Sequence, residues 1–397
     1  MFKLKKLSAV SIILLSTSST AAFAFNGADA RGMAMGGTGV ASANYLAAGF
    51  YNPALATNYK DNDDFGLMLP SVSVSAHDAD DLYHKIDYFQ EVDSRIFPEN
   101  DWEGREPTDA DKQEWKDALM ALDNGQIQLD VQAGIALSIP NRYASATVFT
   151  KAQLSALVMS DIHPDDLKDE NWNNDEYKMQ STAEGLAGGT ADLGIAIAKS
   201  FDLPFKDQKV SVGFSPKIQK IYALKYKDTV DSFEDSEFDA GNEHTEKTAF
   251  NIDLGVTYQP IDKVTLALAA QNIMKQELET NVSFKKSATY LVEPKYTAGV
   301  AYDDGMFTLA ADIDLNKQHY FKGLDYATQF AHLGAEFNAW DWAQLRAGYS
   351  MSMTDYAKNM LTAGIGFKPF GAFGIDLAGQ YGEDNNYGAS LQFVLTI

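Results

Sequence analysis

Along the last part of the chain, apolar and polar residues take strict turns. Phe373, Ile375 and Leu377, then Leu391, Phe393, Leu395 and Ile397, are apolar. Asp376, Ala378, Gln380, Ser390, Gln392 and Thr396 between them are small or polar. A period of two belongs to a β-strand with one apolar face. The rule repeats upstream in Leu361–Phe367, Ala343–Met351, Phe307–Leu315 and Ile252–Tyr258. It predicts about fourteen strands, near residues 65–76, 128–139, 143–154, 190–200, 209–226, 248–259, 262–273, 293–303, 306–316, 328–338, 341–352, 359–368, 371–381 and 387–396.

A soluble sandwich also alternates, so length, polar face and connections have to separate the two. Many of these strands reach the ~9–11 residues that a tilted membrane strand needs. Their non-apolar face carries Asp253, Asp312, Asp314, His332, Glu336, Arg346 and Asp376, as a polar lumen would. The links alternate: long or polar at 77–127, 155–189, 227–247, 274–292 and 317–327, short at 140–142, 201–208, 259–261, 303–305, 338–340 and 369–370. Long loops on one side, short turns on the other and an even strand count define a bacterial membrane barrel. The expected fold is therefore all-β, a transmembrane antiparallel barrel over 61–397, with both termini on the short-turn side.

The first long link has a helical rhythm. Leu82, Ile86 and Phe89 share one face, as do Trp115, Leu119 and Leu122, with Pro107-Thr108 before the second run and Asn124-Gly125 after it. One or two amphipathic helices over the outer mouth are expected, serving loop packing or an apolar ligand site. Gly185, Gly188 and Gly189 mark either an irregular wall segment or a flexible loop.

The N-terminus changes the picture. Lys3, Lys5 and Lys6, the apolar run Leu7 to Leu15 and Ala22-Phe23-Ala24 have the layout of a secretory signal over 1–24. No other segment is long and apolar enough for a transmembrane helix. Cysteine is absent, so neither disulfides nor a Cys-based zinc site are available. The net charge of −23 argues against a nucleic-acid partner. The 19 Tyr, 23 Phe and 5 Trp can furnish aromatic girdles facing outer-membrane lipid.

Enzyme signatures are missing. Gly213-Phe214-Ser215-Pro216 falls short of a nucleophile elbow, and there is no His-Glu-x-x-His. His332 is placed to face Asp312 or Asp314 from a neighbouring strand; acid–base work is one reading, a lumenal polar network with Glu336, Arg346 and Asp376 the favoured one. The acidic runs Asp231, Glu234, Asp235, Glu237, Asp239 and Asp165, Asp166, Asp169, Glu170 do not fit a calcium loop and read as solvated loop faces. No catalytic residue, metal site or cofactor is expected.

Residues 29–54 run Asp29-Ala30-Arg31-Gly32-Met33-Ala34-Met35-Gly36-Gly37-Thr38-Gly39-Val40-Ala41 and end in Ala48-Gly49-Phe50-Tyr51-Asn52-Pro53-Ala54. This resembles the N-terminal segment of the FadL-like long-chain fatty-acid channels of the outer membrane. The resemblance implies a hatch over 25–60, with Arg31, Gly36, Gly37, Gly39, Asn52 and Pro53 inside the lumen, and a ligand pocket between hatch and wall from which an apolar ligand leaves sideways. Leu345-Arg346-Ala347-Gly348-Tyr349, Leu361 to Phe367 and Gly374 to Tyr381 look closer to a related group, the conjugal-transfer TraF-like outer-membrane proteins. Two functions follow as expectations: a passive outer-membrane channel for hydrophobic small molecules such as fatty acids, or an envelope component that binds conjugation proteins without transport.

Overall fold

In a computed structural model of the chain, the structure describes residues 29–60, 63–78, 80–97, 107–171, 177–204, 208–231, 244–283, 285–324, 326–340, 342–354, 357–369, 371–383 and 385–396. The expected signal segment, Glu234 to Asp239 and Ile397 lie outside these residues. Fourteen strands close into one antiparallel barrel in which each pairs with its sequence neighbours and the last returns to the first. They are β1 (Gly66–His77), β2 (Gln126–Ile139), β3 (Ser145–Asp161), β4 (Thr182–Asp202), β5 (Lys209–Thr229), β6 (Thr245–Ile261), β7 (Val264–Gln271), β8 (Lys295–Asp303), β9 (Phe307–Asp314), β10 (Phe330–Trp340), β11 (Ala343–Ser352), β12 (Met360–Phe367), β13 (Phe373–Gly382) and β14 (Asn386–Thr396). Each falls on a segment read from alternation, but β3 and β4 run further, to Asp161 and from Thr182, and shorten the expected 155–189 link.

The wall is inside-out relative to a soluble sheet. Leu309, Leu333, Leu345, Leu361, Ile365 and Leu377 are exposed on the outer surface, while Asp312, His332, Glu336, Arg346, Thr362 and Asp376, their neighbours in sequence, are buried inside. That arrangement is stable only where the solvent around the cylinder is hydrocarbon, and closure leaves no strand edge in it. At the short-turn end, aromatic rings run from strand to strand: Phe307 stacks on Phe337 at 4.9 Å, Trp340 neighbours Trp342 at 6.1 Å, and Trp342 meets Phe367 at 5.6 Å. Tyr381 and Tyr387 sit together near the opposite rim. Such girdles mark the two membrane–water interfaces.

β1 carries an irregularity. Its register against both neighbours shifts after Met68, around Pro70. Proline cannot donate to the ladder and is confined to such places. The shift exchanges faces: Gly66 and Met68 point inward before it, Ser71, Ser73 and Ser75 after it.

β4 and β5 are 21 residues each, far longer than a membrane crossing requires. Their surplus rises on the long-loop side. Gly185, Gly188 and Gly189 therefore lie in a regular strand, paired with Val158, Ser155 and Leu154, so neither an irregular wall nor a flexible loop is found there. Gly188 is small for another reason: the ring of Tyr290 occupies the space that its Cβ would take.

The first long loop folds as two helices, α1 (Leu82–Ile96) and α2 (Asp109–Met120). Thr108 caps α2 in a capping box with Asp111. Leu82, Phe89, Val92, Trp115, Ala118, Leu119 and Leu122 form a core of their own, closed by Ile162 and Val230 from neighbouring loops. The apolar faces seen in the sequence are thus spent on loop packing. No helix among the described residues is long and apolar enough to cross a membrane.

Candidate functional site

Residues 29–60 lie inside the barrel, and nearly every residue from Asp29 to Ala56 is buried. The segment is a short helix (Ala30–Ala34) capped by Asp29, then two 3-10 turns at Tyr45–Ala47 and Pro53–Thr57, capped by Asn44 and Asn52. Short capped turns suit a chain that must satisfy its backbone away from water. Where the turns run out, wall side chains take over. The amides of Gly39 and Val40 donate to Asp312 Oδ2 at 2.7 and 2.9 Å. Gly36 N donates to Thr362 Oγ1 at 2.9 Å, and that hydroxyl donates to Ala34 O. Ala30 N reaches Gln392 Oε1 at 3.0 Å, and Gln271 Nε2 donates to the carbonyl of Phe50 at 2.7 Å.

Charges fix one end. Arg31 makes a two-pronged contact with Glu336, which also accepts from Arg346 Nε at 2.6 Å; Arg346 continues to Asp376. Arg31 Nη1 also donates to Ser42 O at 2.8 Å, folding the segment back on itself. Burying this many charges is tolerated because each is paired and hydrogen-bonded. At Asp29, burial pushes the carboxyl up against the opposing pull of the Tyr51 hydroxyl and the Gly32 amide.

Glycines bring hatch and wall backbones together. Gly36 has φ +70°, and a Cβ there would lie 2.5 Å from the Leu333 carbonyl. Gly348 on β11 lies directly against Gly36, and a side chain on either would separate the two. Gly37 presses on the His332 ring. Asn52 is fully buried, with Nδ2 donating to Val40 O at 3.0 Å and Oδ1 accepting from Ala54 N; Pro53 fills the space above Gly213 of β5.

All six hatch residues named from the resemblance are thus inside, in contact with the wall. The polar residues of the wall split into two sets. Glu336, Arg346 and Asp376 form one network. Asp312, Asp314 and His332 do not join it. Asp312 and His332 are direct partners in the ladder, yet they form no acid–base pair: Asp312 turns to the Gly39 and Val40 amides, and His332 Nδ1 meets Gly36 O at 2.6 Å and Ser350 Oγ at 3.1 Å. Asp314 takes Lys295 at 3.0 Å and Thr297. The hatch backbone competes for these side chains and wins, because a buried amide without an acceptor is costly.

Between hatch and outer loops is a cavity of about 170 Å³. Gly49 of the hatch forms part of its floor. Its wall carries Asp130, Lys151, Gln153, Thr190, Asp192, Lys217 and Asp253. Tyr290, Tyr320 and Tyr326 from the long loops and Phe330 bring aromatic rings to it. Lys217 bridges Asp192 at 3.0 Å and Asp253 at 2.9 Å. The loop after β7 folds inward: Tyr290 and Val292 pack with Leu186, Ile221 and Phe321 against the inner face of β4 and β5. Burial holds the Tyr290 phenol well above its ordinary value, so it stays protonated. Of these residues only Asp253 stood out in the sequence; Asp130, Lys151, Gln153, Thr190, Asp192 and Lys217 sit at inward positions of β2 to β5, where the period of two was the available signal, and the aromatic residues Tyr290, Tyr320 and Tyr326 come from loops that carry no such period. Among the described residues, no three His, Asp or Glu side chains converge as metal ligands would.

This is a closed outer-membrane-type barrel with its own N-terminal segment seated in the lumen. The chain belongs to the family described as "F plasmid transfer operon, TraF, protein", whose sequence profile matches residues 49–314, about two thirds of the chain. Among solved structures it is similar to the CymD monoaromatic hydrocarbon channel, with TM-score 0.53, 13% identity, and 95% of this chain and 99% of that chain covered. It is also similar to a TodX deletion mutant, a monoaromatic hydrocarbon channel, with TM-score 0.50, 14% identity, and 93% and 98% covered. No curated protein sequence matches the chain. At these identities the likeness concerns the fold.

Proposed function

We propose that the protein is an outer-membrane channel, closed at rest by residues 29–60, that takes one small, compact molecule at a time from the outer side. The observation that carries this is the cavity between hatch and loops. It is near the ~150 Å³ at which a protein cavity accommodates a single benzene ring, and the two similar channels are named for monoaromatic hydrocarbons. The hatch is held by hydrogen bonds, one charge network and apolar packing, the last heaviest where Tyr45, Leu46, Phe50 and Leu55 meet Met68 and Phe149 of the wall, so opening on the Arg31 side disturbs less apolar contact than expelling the whole segment.

The test is uptake of small aromatic compounds into liposomes carrying the purified protein, beside a variant lacking residues 26–50. Uptake that saturates in the intact protein and becomes fast and unsaturable in the deletion supports a hatch-gated channel. No uptake by either, with the barrel shown folded by heat-modifiable gel migration, sinks it. Family membership supports a second reading, an envelope partner in plasmid transfer working through its outer loops. Loss of mating efficiency without loss of uptake in a variant lacking residues 82–120 would favour that role.

A further inference from the structure

Among the described residues, not every charged side chain around the cavity is in contact with a partner. Each carboxylate in its wall near β2 to β6 is engaged: Asp130 by Ser155 and Gln128, Asp192 by Lys217 and Gln219, and Asp253 by Lys217 and the Asn272 amide at 2.7 Å. Glu293 at the rim is taken by Lys275 and His319. Lys151 has no direct partner, although Asp192 and Asp253, which share the single Lys217, act on it through space. It projects inward from β3, lines the cavity, and among the described residues its ammonium meets no hydrogen-bond or ion-pair partner. Two further donors stand beside it. Gln153 is the next inward residue of β3 and likewise has no side-chain partner among the described residues. Thr190, its direct ladder neighbour on β4, is 1% exposed, and its hydroxyl has no partner.

A buried polar group is normally satisfied, and the Thr190 hydroxyl, which is not, calls for a specific explanation, whereas Lys151 and Gln153 are half-buried and open to the cavity. Here an ammonium, a carboxamide and a hydroxyl, all unpaired, face one small volume from adjacent strands. Together they present donors to a single acceptor group carrying negative charge. The aromatic component lies next to them: Tyr290 sits on Gly188, the inward residue two before Thr190.

We infer that the cavity takes a compact aromatic carboxylate, its carboxylate held by Lys151, Gln153 and Thr190 and its ring against Tyr290. This rests on the channel reading and names its substrate class, which is charged where a hydrocarbon is neutral. A ring of one size with and without the carboxylate separates the two ideas.

The experiment is equilibrium binding of labelled benzoate and of toluene to the detergent-purified full chain, to Lys151→Met, Lys151→Arg and Thr190→Val, each checked for heat-modifiable migration. Benzoate is expected to bind saturably and more tightly than toluene, and less tightly as salt is raised. A charge-assisted contact of this kind is worth about a tenfold to hundredfold change in affinity, which Lys151→Met should lose and Lys151→Arg largely keep. Thr190→Val is expected to weaken benzoate several-fold and to lower the preference for benzoate over toluene. Benzoate binding no tighter than toluene, or unchanged in both Lys151→Met and Thr190→Val, overturns the inference and leaves the channel standing. No binding of either ligand to the folded parent overturns it as well, and the liposome uptake assay then decides the channel separately.

Discussion

Arg31 and Glu336, 305 residues apart, meet through two parallel hydrogen bonds, Nε to Oε2 at 2.9 Å and Nη2 to Oε1 at 3.1 Å. Glu336 belongs to the wall and Arg31 to the segment inside it, so this pair ties hatch to barrel. Losing one member of a buried pair costs about 3–5 kcal/mol, largely through the charge left behind. Here Arg346 still neutralises Glu336, and the cost falls at the low end of that range. Arg31→Ala is expected to loosen the hatch without unfolding the barrel. Hydrogen exchange should rise in residues 30–42 and stay slow in β9 to β12, and small-solute leakage into liposomes should increase.

Asp312 offers a graded version of the same test. It receives two hatch amides, so Asp312→Ala leaves both without an acceptor, at about 1–3 kcal/mol for each unmet buried group. Asp312→Asn keeps an oxygen and loses the charge. The expected order of hatch protection by hydrogen exchange is parent, then Asn, then Ala; equal protection in all three would show that the wall does not need this acceptor.

Gly348→Ala introduces a methyl group where Gly36 already lies. The β11 ladder can accept alanine, so the barrel should assemble with normal heat-modifiable migration. The hatch should be displaced, giving larger single-channel conductance in planar bilayers than the parent. The same change at Gly379, where a Cβ meets nothing closer than 3.9 Å, is the control.

The outer loops have their own titration. Burial alone would raise the Glu293 carboxyl, but His319 and Lys275 outweigh it and hold it below its ordinary 4.5. A carboxyl depressed in the folded form adds stability that is present above 4.5 and lost as pH falls through the lower folded value. Cleavage of the 272–294 and 315–329 loops by an acid-active protease should therefore rise as pH is lowered from 5 to 3. Glu293→Gln should flatten that rise.

Trp115 sits over Phe89 in the cap, with Nε1 donating to Asp93 at 2.8 Å. Trp115→Ala is expected to cost about 3–5 kcal/mol, confined to the cap. Proteolysis between residues 80 and 125 should become fast while the barrel's thermal transition is unchanged.

The wall was legible in the sequence because one physical rule, apolar out and polar in, governs most of each membrane crossing, with inward apolar residues such as Met68 and Phe149 where the hatch packs on them. Leu361, Ile365 and Leu377 declare their face, and with them Thr362 and Asp376 declare theirs. What lies above the membrane obeys no such rule, so β4 extends to Thr182 where alternation suggested a start near 190. Glycines in that stretch read as loop or bulge because the partner that explains Gly188, Tyr290, is a hundred residues away. Asp312 and His332 were rightly placed side by side, but spacing cannot show that a third segment claims both. The cavity was hidden for a similar reason: Lys151 and Thr190 are unremarkable inward residues until the loop carrying Tyr290 folds over them.

The hatch also has a mechanical role. Its helix at Ala30–Ala34 is seated on strands near the C-terminal end of the barrel, and its turn at Pro53–Thr57 on β4, β5 and β6, roughly opposite. It is thus a strut across a hoop. A ring of fourteen strands resists stretching, since every link is a ladder of hydrogen bonds, but it resists flattening poorly, because bending a sheet breaks none of them. With the strut in place, squeezing the hoop compresses packed chain; with the strut withdrawn, the hoop is free to become oval. A squeeze on the wall therefore bears on residues 29–60, and residues 29–60 in turn hold the wall round.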